Sequence, residues 1–182
     1  VPIYYEARLA ELHLTNEFID EEFEEISEKA SLDPEVKEAI KRKFAKLEEV
    51  ILSEQRLEKV ARDITEHFMK RREEFEGKAL IVVISRKVAV KLYEKIKKIA
   101  PELSVVVVMS GNKTTDPEEF HPHLRDRAEL EELANNFKNP ESPPEVAIVV
   151  DMWLTGFDVP CLHTIYFDKP MKGHTLMQAI AR

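Results

Sequence analysis

The run Gly77-Lys78-Ala79-Leu80-Ile81-Val82-Val83-Ile84-Ser85-Arg86 passes from a glycine through an unbroken apolar, largely β-branched core to a serine and an arginine. Leu80 to Ile84 contains no polar residue, the composition of a strand buried on both faces. Val105-Val106-Val107-Val108-Met109 repeats the pattern, Val146 to Val150 repeats it again, and Thr164 to Phe167 predicts a fourth strand. The intervening segments have helical spacing. Val88, Leu92 and Ile96 form one stripe, and Leu130, Leu133, Ala134 and Phe137 form another, broken by Asn139-Pro140-Glu141-Ser142-Pro143-Pro144. A last helix is predicted from about Gly173-His174 to Arg182. Such alternation predicts an α/β domain, a parallel sheet flanked by helices.

Before Gly77 the sequence is helical and acidic. Tyr4 to Leu14 suits a strand, and Asp20 to Lys29 a weak helix. Asp33-Pro34 supplies a capping carboxylate and a proline for the first helical position. Val36, Ile40, Phe44, Leu47 and Ile51 follow at helical spacing, and a second stripe holds Leu57, Val60, Ala61, Ile64 and Phe68. The two predict an α-hairpin with packed apolar faces. Residues 1–77 carry 21 Asp/Glu against 13 Lys/Arg, whereas residues 78–182 carry 14 of each. The net charge of −8 therefore belongs to the first segment. The second is free to hold a local phosphate site, because overall charge governs steering and solubility. A Glu/Lys-rich outer face reads as solvated surface, with partner docking as the sharper alternative.

With 182 residues, 43% of them hydrophobic, the chain suffices for one packed domain with a helical appendage. The lone Cys161 excludes an internal disulfide and fits a reducing, cytoplasmic setting. No apolar run approaches the ~20 residues of a membrane span. Val1 to Tyr5 lacks the features of a signal peptide. A start without Met and a stop at Ala181-Arg182 read as a piece of something larger.

In open parallel sheets, ligands bind beyond the carboxyl ends of the strands. Ser85-Arg86, Ser110-Gly111-Asn112 and the stretch Asp151 to Pro160 are expected there. Singly, a capping serine or a turn glycine accounts for each. Along one edge they suggest a rim that offers N–H groups to phosphate. The four glycines, Gly77, Gly111, Gly156 and Gly173, form no Gly-rich phosphate loop. The chain by itself has no standard means of holding a nucleoside triphosphate.

The segment Asp151-Met152-Trp153-Leu154-Thr155-Gly156-Phe157-Asp158-Val159-Pro160 resembles motif V of superfamily 2 helicases and translocases. Asp168-Lys169-Pro170-Met171-Lys172-Gly173-His174, with Met177-Gln178-Ala179-Ile180-Ala181-Arg182, resembles their motif VI, and Gly77 to Arg86 matches motif IV in position. The wording is similar to that of the restriction (R) subunit of type I restriction-modification enzymes. Val1-Pro2-Ile3-Tyr4-Tyr5-Glu6-Ala7-Arg8-Leu9 and Ile19 to Glu25 are similar to that subunit too.

The resemblance implies a helical segment over 1–77 and, over 78–182, a second RecA-like lobe cut off after motif VI begins. That lobe belongs to an ATP-dependent double-stranded DNA translocase. ATP and Mg2+ would be bound mainly by a first lobe that this chain lacks, as it lacks the nuclease domain, so the fragment alone is expected to be inactive. Arg182 and Gln178 would be catalytic, Arg182 reaching the ATP phosphates and Gln178 helping to position water or phosphate. Asp158 and Gly156, with Arg182, would face the nucleotide. Ser85, Arg86, Ser110, Asn112 and Thr155 would track the DNA backbone without reading sequence. Implied partners are double-stranded DNA, the first lobe and nuclease domain, and the modification and specificity subunits.

Two alternatives stay open: another superfamily 2 motor lobe, and a non-catalytic protein-interaction module. No metal site is expected, since His121-Pro122-His123 has too few ligands for zinc and reads as a surface turn. Cys161 and His163 read as an inert strand pair on one side, and Trp153 as a packing anchor beside motif V.

Overall fold

A computed structural model of the chain describes residues 6–8, 50–74, 76–150, 152–153 and 156–169. The early helices expected over 20–29 and from Asp33, most of the Tyr4–Leu14 strand and the last helix lie outside these residues. So do Asp151, Thr155, Gln178 and Arg182.

The described elements run α1 (Glu54–Glu74), β1 (Lys78–Val83), α2 (Arg86–Ile99), β2 (Val105–Val107), β3 (Met109–Ser110), a 3-10 turn (Glu118–His123), β4 (Leu124–Arg125), α3 (Arg127–Lys138), β5 (Val146–Val149) and β6 (Leu162–Asp168). The main sheet is parallel throughout, in the order β2-β5-β1-β6. This is the α/β architecture read from the sequence, a parallel sheet flanked by helices and entered from a helix. All six residues of β1 and all four of β5 are buried.

Helices α1 and α2 cover one face. Leu57, Ala61, Ile64 and Phe68 of α1 join Val88, Leu92 and Ile96 of α2 against Ala79, Ile81, Val83 and Ile148. The other face, Leu80, Val82, Ala147 and Val149, is covered by α3 and by the segment leading into β6. There Phe137 is fully buried, while Leu130 and Leu133 are only partly so. Ser85 starts α2 with its hydroxyl accepting from the Val88 N–H at 3.3 Å. A reciprocal pair, Asp126 with Glu129, starts α3.

Two expectations change in detail. The run Val105–Met109 is not one strand: β2 ends at Val107, and Met109-Ser110 pairs with Leu124-Arg125 in a separate two-stranded parallel sheet. Arg125 returns beside the break and donates to the Val107 carbonyl at 2.8 Å, a contact to which five consecutive apolar residues give no clue. Cys161 and His163 also part company. The β1–β6 register slips between Lys78 and Ala79, whose partners are Leu162 and Thr164. The extra residue, His163, turns toward Arg71 of α1, while the Cys161 thiol faces the Phe137 and Lys138 carbonyls at 3.4 Å.

Helix α1 is tied to β6 along its length. His67 Nδ1 and the Tyr166 hydroxyl share a hydrogen bond of 2.8 Å. Burial pushes His67 down and Tyr166 up, which favours the neutral forms of both. At the far end Arg56 forms a two-pronged ion pair with Asp168, their side chains 9% and 10% exposed. Removing one partner from such a pair leaves an uncompensated charge. Asp168→Ala is therefore expected to cost about 3–5 kcal/mol in urea unfolding. Arg56→Met combined with Asp168→Leu should restore stability close to that of the unaltered chain.

Candidate nucleic-acid and nucleotide interface

All strands of the main sheet point the same way, so Ser85, after β1, and Ser110, beyond β2, emerge at one edge. Arg86, the first residue of α2, leans across this edge. Its Nη1 donates to the Ser110 carbonyl at 3.4 Å and its guanidinium carbon lies 5.0 Å from the Phe120 ring centroid. Four residues expected to touch a phosphate backbone, Ser85, Arg86, Ser110 and Asn112, thus cluster in space.

Sequence reasoning did not single out the residue that organises them. Asp116 Oδ1 accepts from Arg86 Nη2 at 2.6 Å, and Asp116 Oδ2 accepts from the Asn112 N–H at 2.8 Å. Arg86 foremost, then the Asn112 N–H, holds the Asp116 carboxyl below the usual aspartate range. A depressed carboxylate contributes stability above its unfolded pKa and loses it as pH falls through the folded one. This link therefore outlasts an ordinary aspartate's titration on acidification. An aspartate four residues after Asn112 was the available signal.

Asn112 itself faces inward to its loop, its Oδ1 accepting from the Thr114 N–H at 2.9 Å. Lys113, Thr114 and Thr115 are exposed. His121 turns back to the Asp116 carbonyl at 3.0 Å, while His123 is buried edge-on against Tyr93 with centroids 4.8 Å apart. Burial lowers the pKa of His123. The expected surface turn is thus a 3-10 turn with one buried histidine. Among the described residues no cluster of three or more His, Cys, Asp or Glu could hold a metal ion.

The stretch following β5 is fixed differently. Trp153 has φ of 65°, a left-handed conformation uncommon for a bulky side chain. Its ring stacks on Phe137 (5.3 Å between centroids) and on Phe157 (4.5 Å), and Lys138 Nζ lies 5.0 Å from the Phe157 centroid. Trp153 is the packing anchor read from the sequence. Gly156 also has positive φ, 70°, with open space where a side chain would stand. Asp158 is exposed and takes no hydrogen bond from the described residues. No hydrogen bond joins Gly156 or Asp158 to the Ser85–Ser110 cluster among the described residues.

Lys78, which opens β1, is buried to 2% exposure and donates to the Asn136 and Ser142 carbonyls at 2.9 and 2.6 Å. Burial lowers its pKa. It serves the fold, closing the last turn of α3. No described helix is long and apolar enough to cross a membrane.

Comparisons with known proteins agree with one another. A family model described as type I restriction enzyme subunit R domain 3 matches residues 112–182. Over all 182 residues the chain is 66% identical to a putative type I restriction enzyme endonuclease subunit, MjaIXP, of Methanocaldococcus jannaschii, covering 18% of that protein. It is 45% identical over 143 residues, 74% of the chain, to the HindI endonuclease subunit of Haemophilus influenzae, covering 14% of it. A second Methanocaldococcus jannaschii relative, the putative MjaVIIIP endonuclease subunit, is 31% identical over 90% of the chain and 18% of its own length. The chain thus spans less than a fifth of the curated relatives it matches.

A Cβ on Gly111 would sit 2.2 Å from Asp116 Oδ2 and 2.7 Å from Leu124 Cδ2. Gly111→Ala must displace a carboxylate pinned by Arg86, an overpacking cost of about 1–3 kcal/mol. Urea unfolding should report that loss, and hydrogen exchange should show the Asn112 N–H deprotected.

Proposed function

We propose, on the premise that this chain belongs to the family of type I restriction enzyme endonuclease (R) subunits, that it is the second RecA-like lobe of an ATP-dependent double-stranded DNA translocase, preceded by a helical segment over 1–77. The observation that carries the reading is the gathering of Ser85, Arg86, Ser110 and Asn112 at the carboxyl edge of a parallel sheet. Hydroxyls, amides and one loop cation, Lys113, are suited to a phosphate backbone and indifferent to base sequence. A translocase needs that indifference, because it must step over any sequence. With Thr155, this edge would track one DNA strand.

ATP and Mg2+, held mainly by a first lobe on another part of the subunit, would supply the phosphoryl group and its neutralising charge. From this chain, Gly156 and Asp158 would face the nucleotide. The exposed Asp158 carboxylate, with no hydrogen bond among the described residues, is an acceptor available to a ribose hydroxyl. Gln178 would help to orient water or phosphate. Arg182 would place positive charge where negative charge develops on the transferring group. The stack of Phe137, Trp153 and Phe157 would keep Gly156 in position as the lobes close. DNA, the first lobe, the nuclease domain, and the modification and specificity subunits are the partners this reading requires, in the cytoplasm.

The test is DNA-stimulated ATP hydrolysis by a full-length R subunit carrying this segment, assembled with its partner subunits. Arg182→Ala should lower turnover by at least ~10³-fold, the lower end for loss of a transition-state arginine. A folded variant hydrolysing at the wild-type rate would refute the motif VI role and favour a protein-docking module.

A further inference from the structure

The loop from Gly111 to Asp116 is closed by one carboxylate. Asp116, its side chain 13% exposed, receives Arg86 and the Asn112 N–H, while its own N–H donates to the Asn112 carbonyl at 2.9 Å. Arg86 is thereby oriented by a carboxylate, by the Ser110 carbonyl and by the Phe120 ring. A phosphate seated on this guanidinium would stand beside the Asp116 charge, so like charges would oppose it. The exposed side of the same loop differs. Lys113 and Thr114 offer an ammonium and a hydroxyl, while the Thr115 hydroxyl is turned back to the Asn112 carbonyl at 3.4 Å. Gly111 lets the loop pass close to the clamp, since a side chain there would meet Asp116, Leu124 and Arg86.

We propose that Asp116 is a positioning residue which, by clamping Arg86, shapes the Gly111–Thr115 loop so that Lys113 and Thr114 meet the nucleic-acid phosphate. Arg86, its side chain 40% exposed, then acts as a strut of the DNA-tracking edge, and Lys113 is the cation that reaches the backbone. The inference rests on the DNA-tracking reading given above, and it adds both the residue that builds the contact and the residue that makes it.

Binding of a full-length R subunit carrying this segment to a fluorescein-labelled DNA duplex, followed over a NaCl series, tests it. Lys113→Gln leaves the clamp intact and should lower the slope of log K against log salt by about 0.9, the value for one phosphate contact. Asp116→Asn and Arg86→Gln should each weaken binding about tenfold or more. Because the two act as one unit, the double variant should bind no worse than the weaker single variant. Tighter binding with a steeper slope in Asp116→Asn would mean that the carboxylate masks a phosphate-seeking arginine, and would overturn the proposal. Additive losses in the double variant, or an unchanged slope in Lys113→Gln, would overturn it as well. These outcomes leave the translocase reading standing as long as the wild-type subunit binds DNA. Failure of the wild type to bind would remove both.

Discussion

Strand β1 imposes the constraint from which the rest follows. Six consecutive buried residues, Lys78 to Val83, carry backbone groups that water cannot satisfy, so both edges of the strand must be paired. β5 supplies one edge and β6 the other, both parallel to it. Parallel pairing in turn demands crossovers, and the crossovers bring helices to both faces. Even the charged residue that opens the strand obeys the rule. The Lys78 ammonium is enclosed, and the Asn136 and Ser142 carbonyls accept its hydrogen bonds.

Much of this was legible because buried parallel strands and amphipathic helices write themselves in runs and stripes. Leu80–Ile84 and Val146–Val150 needed no tertiary information, nor did the Val88, Leu92 and Ile96 stripe. Long-range polar contacts decided what was not legible. Five apolar residues from Val105 read as one strand, yet Arg125, distant in sequence, bonds beside the point where it breaks. The one-residue slip at His163 separates it from Cys161, and alternation within β6 cannot register an irregularity in its pairing with β1. Arg56 stands four residues before Val60 and eight before Ile64, on the apolar stripe of α1. That placement was a readable hint of a buried partner, though not of Asp168.

At the candidate site the residue types were legible and their internal bonding was not. Ser85, Arg86, Ser110 and Asn112 could be placed at the carboxyl edge from strand order alone. Ser85 caps α2, as a serine ahead of a helix suggested, but sequence could not show that the Asn112 side chain bonds within its own loop. Nor could it show that Arg86 is matched by Asp116. The edge is a built structure in which polar side chains hold one another, and the outward surface falls to their neighbours. Helix α1 belongs to the same assembly, since Arg56, His67 and Arg71 each bond to β6.

Trp153 is the only tryptophan in the chain, and it stands between β5 and Gly156 with its indole against two phenylalanines. Any shift of the turn relative to α3 changes the ring overlap. The indole emission, separable from that of the four tyrosines by excitation at the red edge, therefore issues from a single point beside the turn, an intrinsic optical gauge that needs no attached dye.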